Sequence, residues 1–209
     1  MSGGKPNVEQ PASFVFAPEN LERAKRIIAK YPPGRQASAV LPLLDLAQRQ
    51  HHNWLPRAAM DYIAGLLDMA PIRVYEVATF YSMFNLAPVG KWFLQVCTTT
   101  PCWLRGSDDV MAACERKLGI KSKQDASFLH SADGLFTVRE VECLGACVNA
   151  PMLQLNDDFY EDLDRPLTEK LIDELRAGRV PPKGSMKGRQ GAMPQGGRTS
   201  LATAGGGED

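Results

Sequence analysis

Two hydrophobic periods divide the chain near residue 90. Before it, apolar residues recur at intervals of three and four: Leu21, Ala24, Ile27 and Ile28; Val40, Leu43, Leu44 and Ala47; Ala59, Tyr62, Ile63, Leu66 and Leu67; Val74, Val77, Ala78 and Tyr81. Each set falls on one face of a helix. Pro18, Pro56 and Pro71 stand where proline suits a first helical turn, and Pro32-Pro33-Gly34 ends the first helix. The second helix runs from about Ser38 to Gln50, where Pro42 is tolerable because it lies in the first turn. The fourth runs from Pro71 to about Tyr81.

From Lys91 the period changes. Trp92 to Val96 reads as a buried strand, Leu135 to Val141 as an alternating one, and Met152 to Leu155 as a third. Asn156-Asp157-Asp158 is turn chemistry. Pro101 to Leu118 reads as one helix, with Val110, Ala113, Cys114 and Leu118 on a single face. Leu167 to Ala177 reads as another. The pattern predicts an α+β chain: a flexible lead (1–17), a four-helix segment (18–85), an α/β domain (86–177) and a tail (178–209). The order β-α-β-β-α is compatible with several α/β folds.

Composition changes the picture at the ends. Residues 178–209 hold nine of the 18 glycines and no aromatic residue. Such a segment buries too little apolar surface to offset its chain entropy, so it is expected to be disordered, or ordered only along a partner. The first 13 residues lack the apolar core of a secretory signal, and residues 1–17 lack the Arg- and Ser-rich make-up of a transit peptide. No apolar run approaches a membrane span.

The formal net charge is zero, but it is unevenly spread. Residues 97–177 carry 15 acidic and 9 basic side chains, net −6, while the segments on either side each carry +3. The acidic segment is a poor partner for nucleic acid. The turn between the third and fourth helices could suggest a helix-turn-helix, but residues 71–81 offer only Arg73 and Glu76 as charged groups. A recognition helix needs more to read base edges.

The acidic segment also holds all five cysteines, and four of them stand in pairs: Cys97 with Cys102, and Cys143 with Cys147. Each pair follows a strand-like run. Structural disulfides would need an oxidising compartment. Four-cysteine zinc sites favour two residues between paired ligands, although four are allowed. An iron–sulfur cluster suits the wider C-x4-C loop, and two balanced pairs differ from the plant-type ferredoxin run. Cys102 falls in a helix's first turn, where the dipole would favour a thiolate.

Other candidates carry less. Cys114 lies on an apolar helix face and reads as a buried small hydrophobe. His51, His52 and His130 invite comparison with a Rieske centre, but four paired cysteines already complete a site; His51 and His52 are expected in solvent at a helix end. Asp157, Asp158, Glu161 and Asp162 lack the spacing and central glycine of a calcium loop and read as a solvated acidic rim.

Cys97-Thr-Thr-Thr-Pro-Cys102-Trp-Leu-Arg-Gly-Ser and Glu142-Cys143-Leu-Gly-Ala-Cys147-Val-Asn-Ala-Pro-Met resemble the thioredoxin-like [2Fe–2S] ferredoxin family, as does Val74-Tyr-Glu-Val-Ala-Thr-Phe-Tyr81 upstream. The resemblance covers roughly residues 15–177 and is strongest to the 24 kDa-type subunits of respiratory complex I. It implies a thioredoxin-like domain and a [2Fe–2S] cluster on Cys97, Cys102, Cys143 and Cys147. It also implies a partner subunit carrying FMN and NADH, a neighbouring iron–sulfur subunit, and helices that pack on the flavin subunit. The place it implies is peripheral, at the cytoplasmic face of a bacterial inner membrane or the matrix side of the mitochondrial one. The same subunit type resembles components of NAD-dependent formate dehydrogenases and hydrogenases. A zinc-stabilised binding module and a free-standing ferredoxin are the other readings, the latter with no use for four extra helices. No Gly-rich dinucleotide fingerprint opens a helix, so the chain is expected to move electrons without oxidising NADH alone. The −6 segment points to a low potential.

Overall fold

The structure, a computed structural model, describes residues 8–120, 128–194, 196, 197 and 200. The chain forms two compact units, Met1–Val89 and Gly90–Asp209.

The first unit carries α1 (Pro18–Ile28), a short 3-10 turn (Gln36–Ala39) that runs into α2 (Val40–Gln50), α3 (Arg57–Leu66) and α4 (Pro71–Phe80). The four helices expected from the period are present. Pro18 and Pro71 open their helices, Pro56 caps α3 from outside, and Pro42 is the third residue of α2. Ala24, Leu43, Leu44, Ala47, Ile63 and Val74 are buried together. Leu66, placed on the apolar face by the pattern, is exposed instead.

The lead is not unstructured over its described part. Phe14 and Phe16 are buried in this core and meet Tyr62 edge-on, at 5.8 and 5.6 Å between centroids. Gln50, at the end of α2, ties them down. Its amide donates to Val15 O (2.8 Å), and its Oε1 accepts from Ala17 N (3.0 Å) and Asn20 Nδ2 (2.8 Å). Two aromatics spaced by two residues carry no helical period, so the pattern does not flag them. His51 also departs from expectation. It packs edge-on against Trp54 at 4.8 Å, and burial, with the neighbouring His52, lowers its pKa.

The second unit is built on a six-stranded sheet in the order β2-β3-β1-β4-β5-β6. The strands are β1 (Trp92–Cys97), β2 (Leu129–His130), β3 (Phe136–Val141), β4 (Leu153–Leu155), β5 (Asp158–Glu161) and β6 (Gly184–Ser185). β1 and β3 are parallel, in register from Trp92↔Phe136 to Cys97↔Val141, and β4 joins β1 antiparallel. Helices α6 (Ser107–Leu118) and α7 (Arg165–Arg176) close over the sheet. Val110, Cys114, Leu118, Leu171, Ile172 and Leu175 share one core with Leu94, Val96, Phe136 and Val138. Lys117 and Asp173 bridge the two helices at 2.6 Å. Asp164 caps α7, its Oδ1 accepting from Leu167 N at 2.9 Å.

The single helix expected over 101–118 is two. A short α5 (Thr100–Leu104) ends before Gly106, whose φ of +101° breaks the ladder and starts α6. That conformation suits glycine and few others. β2, β5 and β6 were not expected. At two to four residues they are too short to show a period.

The tail expected to be disordered from residue 178 packs on the sheet instead. β6 pairs in parallel with β5, and Met186 N donates to Glu161 O at 2.9 Å. Tyr160 Oη donates to Pro181 O (2.8 Å), and Lys183 pairs with Asp158 (2.8 Å). Backbone pairing and ion pairs hold a glycine-rich segment without any aromatic residue of its own. The rest of that expectation, on residues 195, 198, 199 and 201–209, lies outside the described residues. Truncation after Ala177 should therefore lower Tm by roughly 5–10 °C, the shift expected for a loss of about 2 kcal/mol in a domain of this size. Thermal unfolding of the full and shortened chains measures it, and coincident curves would show that the tail carries no stability.

Candidate metal centre

Parallel neighbours end side by side. Cys97, the last residue of β1, lies opposite Val141, the last of β3, and the loops that follow both strands leave the same edge. In open α/β sheets this carboxyl edge is where ligands bind. Thr98 N donates to Val141 O (3.3 Å), and Cys97 N to Met152 O (3.3 Å). Across the gap Thr98 Oγ1 donates to Glu140 Oε1 at 2.6 Å. Two stretches forty residues apart are thereby locked together.

The two cysteine pairs differ. Cys97 and Cys102 are buried, at 2% and 1% exposure, with Ala150 and Met152, and Leu144, Ala146 and Phe159 pack against them. Cys143 and Cys147 are exposed, with their sulfurs 3.5 Å apart. Gly145 N donates to Cys143 Sγ at 3.4 Å, in a turn that Gly145 makes with φ +85°.

The sulfurs feel one another. Burial pushes the Cys97 thiol up, but the N–H groups of Leu144 and Thr99 and the Cys102 thiol outweigh it and leave it below the ordinary value. Leu144 belongs to the other loop and packs against the inner cysteines. Burial, then the hydrogen bond and charge of Cys97, push Cys102 up to about 12. Cys102 does fall in a first helical turn, as the third residue of α5, but that helix is only five residues long and burial outweighs any favour to the thiolate. The Cys143 hydrogen bond, burial and the charges of Cys143 and Cys97 raise Cys147.

This donor set fits a two-iron cluster. A tetrahedral metal with bonds of about 2.3 Å to sulfur sets paired thiolates about 3.7 Å apart, close to the 3.5 Å between Cys143 and Cys147. A [2Fe–2S] rhomb spreads its four thiolates over two irons.

The other candidates fall elsewhere. Cys114 is fully buried in α6, and burial pushes its thiol up to about 12. His51 and His52 belong to the first unit, and His130, in β2, lies with Nδ1 3.0 Å from Thr137 Oγ1 of β3. Arg73 pairs with Glu76 on its own helix at 2.9 Å. The acidic rim is only partly solvated: Asp158 meets Lys183, and Asp162 is 11% exposed against Arg189. Sequence reasoning missed Arg189 and Asn149. Their part is tertiary, and no local spacing marks it.

A model of the thioredoxin-like [2Fe–2S] ferredoxin family matches residues 24–176. The chain belongs to that family. It is 59% identical over 162 residues to a subunit of the NADH-quinone oxidoreductase of Rickettsia typhi, covering 78% of this chain and 92% of that one. It is 47% identical over 188 residues to the mitochondrial NADH dehydrogenase [ubiquinone] flavoprotein 2 of Dictyostelium discoideum, covering 90% and 74%. Among solved structures, an air-oxidised NAD+-reducing [NiFe]-hydrogenase superposes with a TM-score of 0.54 at 20% identity. That match covers 65% of this chain and 23% of the hydrogenase chain, and it speaks for fold alone. As a thioredoxin-like ferredoxin, the chain keeps its cysteine loops at the carboxyl ends of β1 and β3 and adds the tail strand β6 beyond the matched residues.

Proposed function

We propose that Cys97, Cys102, Cys143 and Cys147 hold a [2Fe–2S] cluster and that the chain is the electron-transfer subunit of an NADH–quinone oxidoreductase, respiratory complex I. The observation that carries the reading is the placing of both cysteine loops at one sheet edge, where Cys97 lies opposite Val141 at the ends of β1 and β3 while the Cys143 and Cys147 sulfurs stand 3.5 Å apart. Such a cluster, when bound, supplies one-electron chemistry at a potential tuned by charge, hydrogen bonds and exposure. The chain's own groups do the tuning. Met152, Ala150 and Phe159 keep water from the inner cysteine pair. The N–H groups of Leu144, Thr99 and Gly145 place positive dipole at sulfur.

Hydride moves two electrons and needs a flavin or similar acceptor. The chain carries no dinucleotide fingerprint, so FMN and NADH belong to a partner subunit, and a neighbouring iron–sulfur subunit accepts electrons in turn. No described helix is long and apolar enough to cross a membrane. The subunit sits peripherally, on the cytoplasmic face of a bacterial membrane or the matrix side of a mitochondrial one.

The test mixes NADH with the isolated, cluster-loaded chain under argon and follows the visible spectrum. No bleaching is expected until the flavin subunit is added. Iron and labile-sulfide analysis, with electron paramagnetic resonance of the dithionite-reduced protein, should give two of each per chain and a [2Fe–2S] signal. Fast stoichiometric bleaching by NADH alone, or a chain that holds zinc, would defeat the reading.

The first unit supplies part of the contact with the flavin subunit. Ile72, Phe80 and Met83 are exposed on and just after α4, and Phe80 is 80% accessible. Phe80→Asp should weaken binding to that subunit at least tenfold, the scale of an aromatic anchor lost from an interface. Equal affinity by calorimetry would move the contact elsewhere.

A further inference from the structure

The loop that carries Cys143 and Cys147 lacks the apolar cover of its neighbour. Both thiols are exposed, and Val148, next to Cys147, is 69% accessible. Leu144 and Ala146 pack against the inner pair, but the Cys147 end of the loop needs a further hold. One such hold comes from the far end of the chain.

Arg189 lies on the segment after β6, beyond residues 24–176 that the family model matches. Its side chain is 13% exposed. Nε and Nη2 make a forked contact with Asp162, at 2.8 Å to Oδ2 and 2.6 Å to Oδ1. Nη2 also donates to Val148 O at 3.1 Å and to Asn149 Oδ1, and Nη1 to Met193 O at 2.8 Å. Val148 and Asn149 are the two residues after Cys147, and the three form one 3-10 turn. The same turn is gripped twice more. Asn149, 3% exposed, donates to Gly191 O at 2.9 Å, and Asp162 N donates to Asn149 O at 2.8 Å. Ser185 in β6 completes the ring, its Oγ donating to Asp162 Oδ2 (2.6 Å) and accepting from Arg189 N (3.1 Å).

We infer that Arg189 is a positioning residue for the cluster, a clamp by which the C-terminal segment fixes the Cys147–Asn149 turn. The inference rests on the cluster reading given above. A planar guanidinium alone among side chains can meet a carboxylate in a fork and still reach two carbonyl-type oxygens on another segment. Lysine would keep the charge and lose the fork. Glutamine would lose the charge and leave Asp162 a poorly hydrated carboxylate beside the loop, with the Ser185 hydroxyl but without its ion-pair partner, a costly state. The segment therefore acts on the cluster in two separable ways, by holding the loop and by balancing a negative charge next to it. Outer partners of metal ligands typically cost 10–100-fold in metal affinity when removed.

The experiment uses the full chain, reconstituted with its cluster, in four forms: native, Arg189→Lys, Arg189→Gln and the double variant Arg189→Gln with Asp162→Asn. Iron release to a chelator and the midpoint potential are measured well below each protein's Tm. Release should quicken about tenfold or more in all three variants. The potential should stay near native in Arg189→Lys, fall in Arg189→Gln, and return towards native in the double variant. If folded Arg189→Lys and Arg189→Gln both release iron at the native rate, the clamp is overturned, whatever happens to Tm. If Arg189→Gln does not fold, Arg189→Lys decides alone by the same release rate. A native chain that shows no [2Fe–2S] signal would defeat the cluster reading instead, before any variant is compared.

Discussion

Serine at position 97 or 102 should abolish the [2Fe–2S] spectrum, and at 143 or 147 should abolish it or perturb it strongly. A serine oxygen is a harder, more basic donor than a thiolate and a poor match to a cluster that proteins hold through cysteine sulfur. The inner pair should be the less forgiving. Cys97 and Cys102 are closed in by Met152, Ala150 and Leu144, so no water or neighbouring side chain can move in as a substitute ligand. Cys114→Ser is the control. It should keep the spectrum, since Cys114 is sealed into the α6 face with Val110 and Leu118. It should also cost about 1–3 kcal/mol, because the hydroxyl is buried among apolar groups. Visible absorption, resonance of the reduced protein and denaturant titration read all five variants. An unchanged reduced spectrum in any of the four ligand variants would overturn the assignment.

A single methyl at residue 90 should damage the second unit nearly as much. A Cβ on Gly90 would stand 2.7 Å from Leu135 O, 2.8 Å from Leu135 C and 2.9 Å from Gly134 O. All three are backbone atoms, so no side chain can swing aside. The same carbonyl of Leu135 accepts from Trp92 N at 3.0 Å, and Gly90 N donates to Thr137 Oγ1 at 2.7 Å. Relief would push β1 away from β3 at the start of their register. Overpacking of this kind costs roughly 1–3 kcal/mol, and Gly90→Ala should lower Tm by about 10 °C. Because the displaced strand ends at Cys97, iron occupancy should fall with it. A Tm within two or so degrees of native (about 2 °C, less than 1 kcal/mol) would show that the Gly134–Leu135 turn yields freely.

Much of the helical unit was legible because its information is local. The apolar residues of α1 to α4 repeat with the helix, and prolines mark the starts. The cysteine pairs were legible because their spacing stands out locally, and the residues around them, more than the spacing, set them apart from zinc patterns, which also allow up to four intervening residues. What escaped has partners far away in sequence. Phe14 and Phe16 find Tyr62, and Tyr160 finds Pro181. Arg189 finds Asp162 and the turn after Cys147. Gly106 escaped for another reason: a lone glycine inside an apolar period is tolerated in many helices, and only its positive φ shows that this one splits α5 from α6. The glycine-rich composition of the tail speaks to its own burial and is silent on the strand edge that receives it.

That strand edge has a consequence for how the molecule meets other chains. As described, the sheet ends in β2 on one side and β6 on the other, and each is two residues long. A long bare edge invites another chain to add a strand, which is how many sheets aggregate. Here β6 covers β5 and leaves almost no ladder of its own to extend. Strand addition is therefore a poor route for binding at the β6 edge. Recognition on that side must rest on side chains and loops, which can be selective about a partner in a way that free backbone hydrogen bonds cannot.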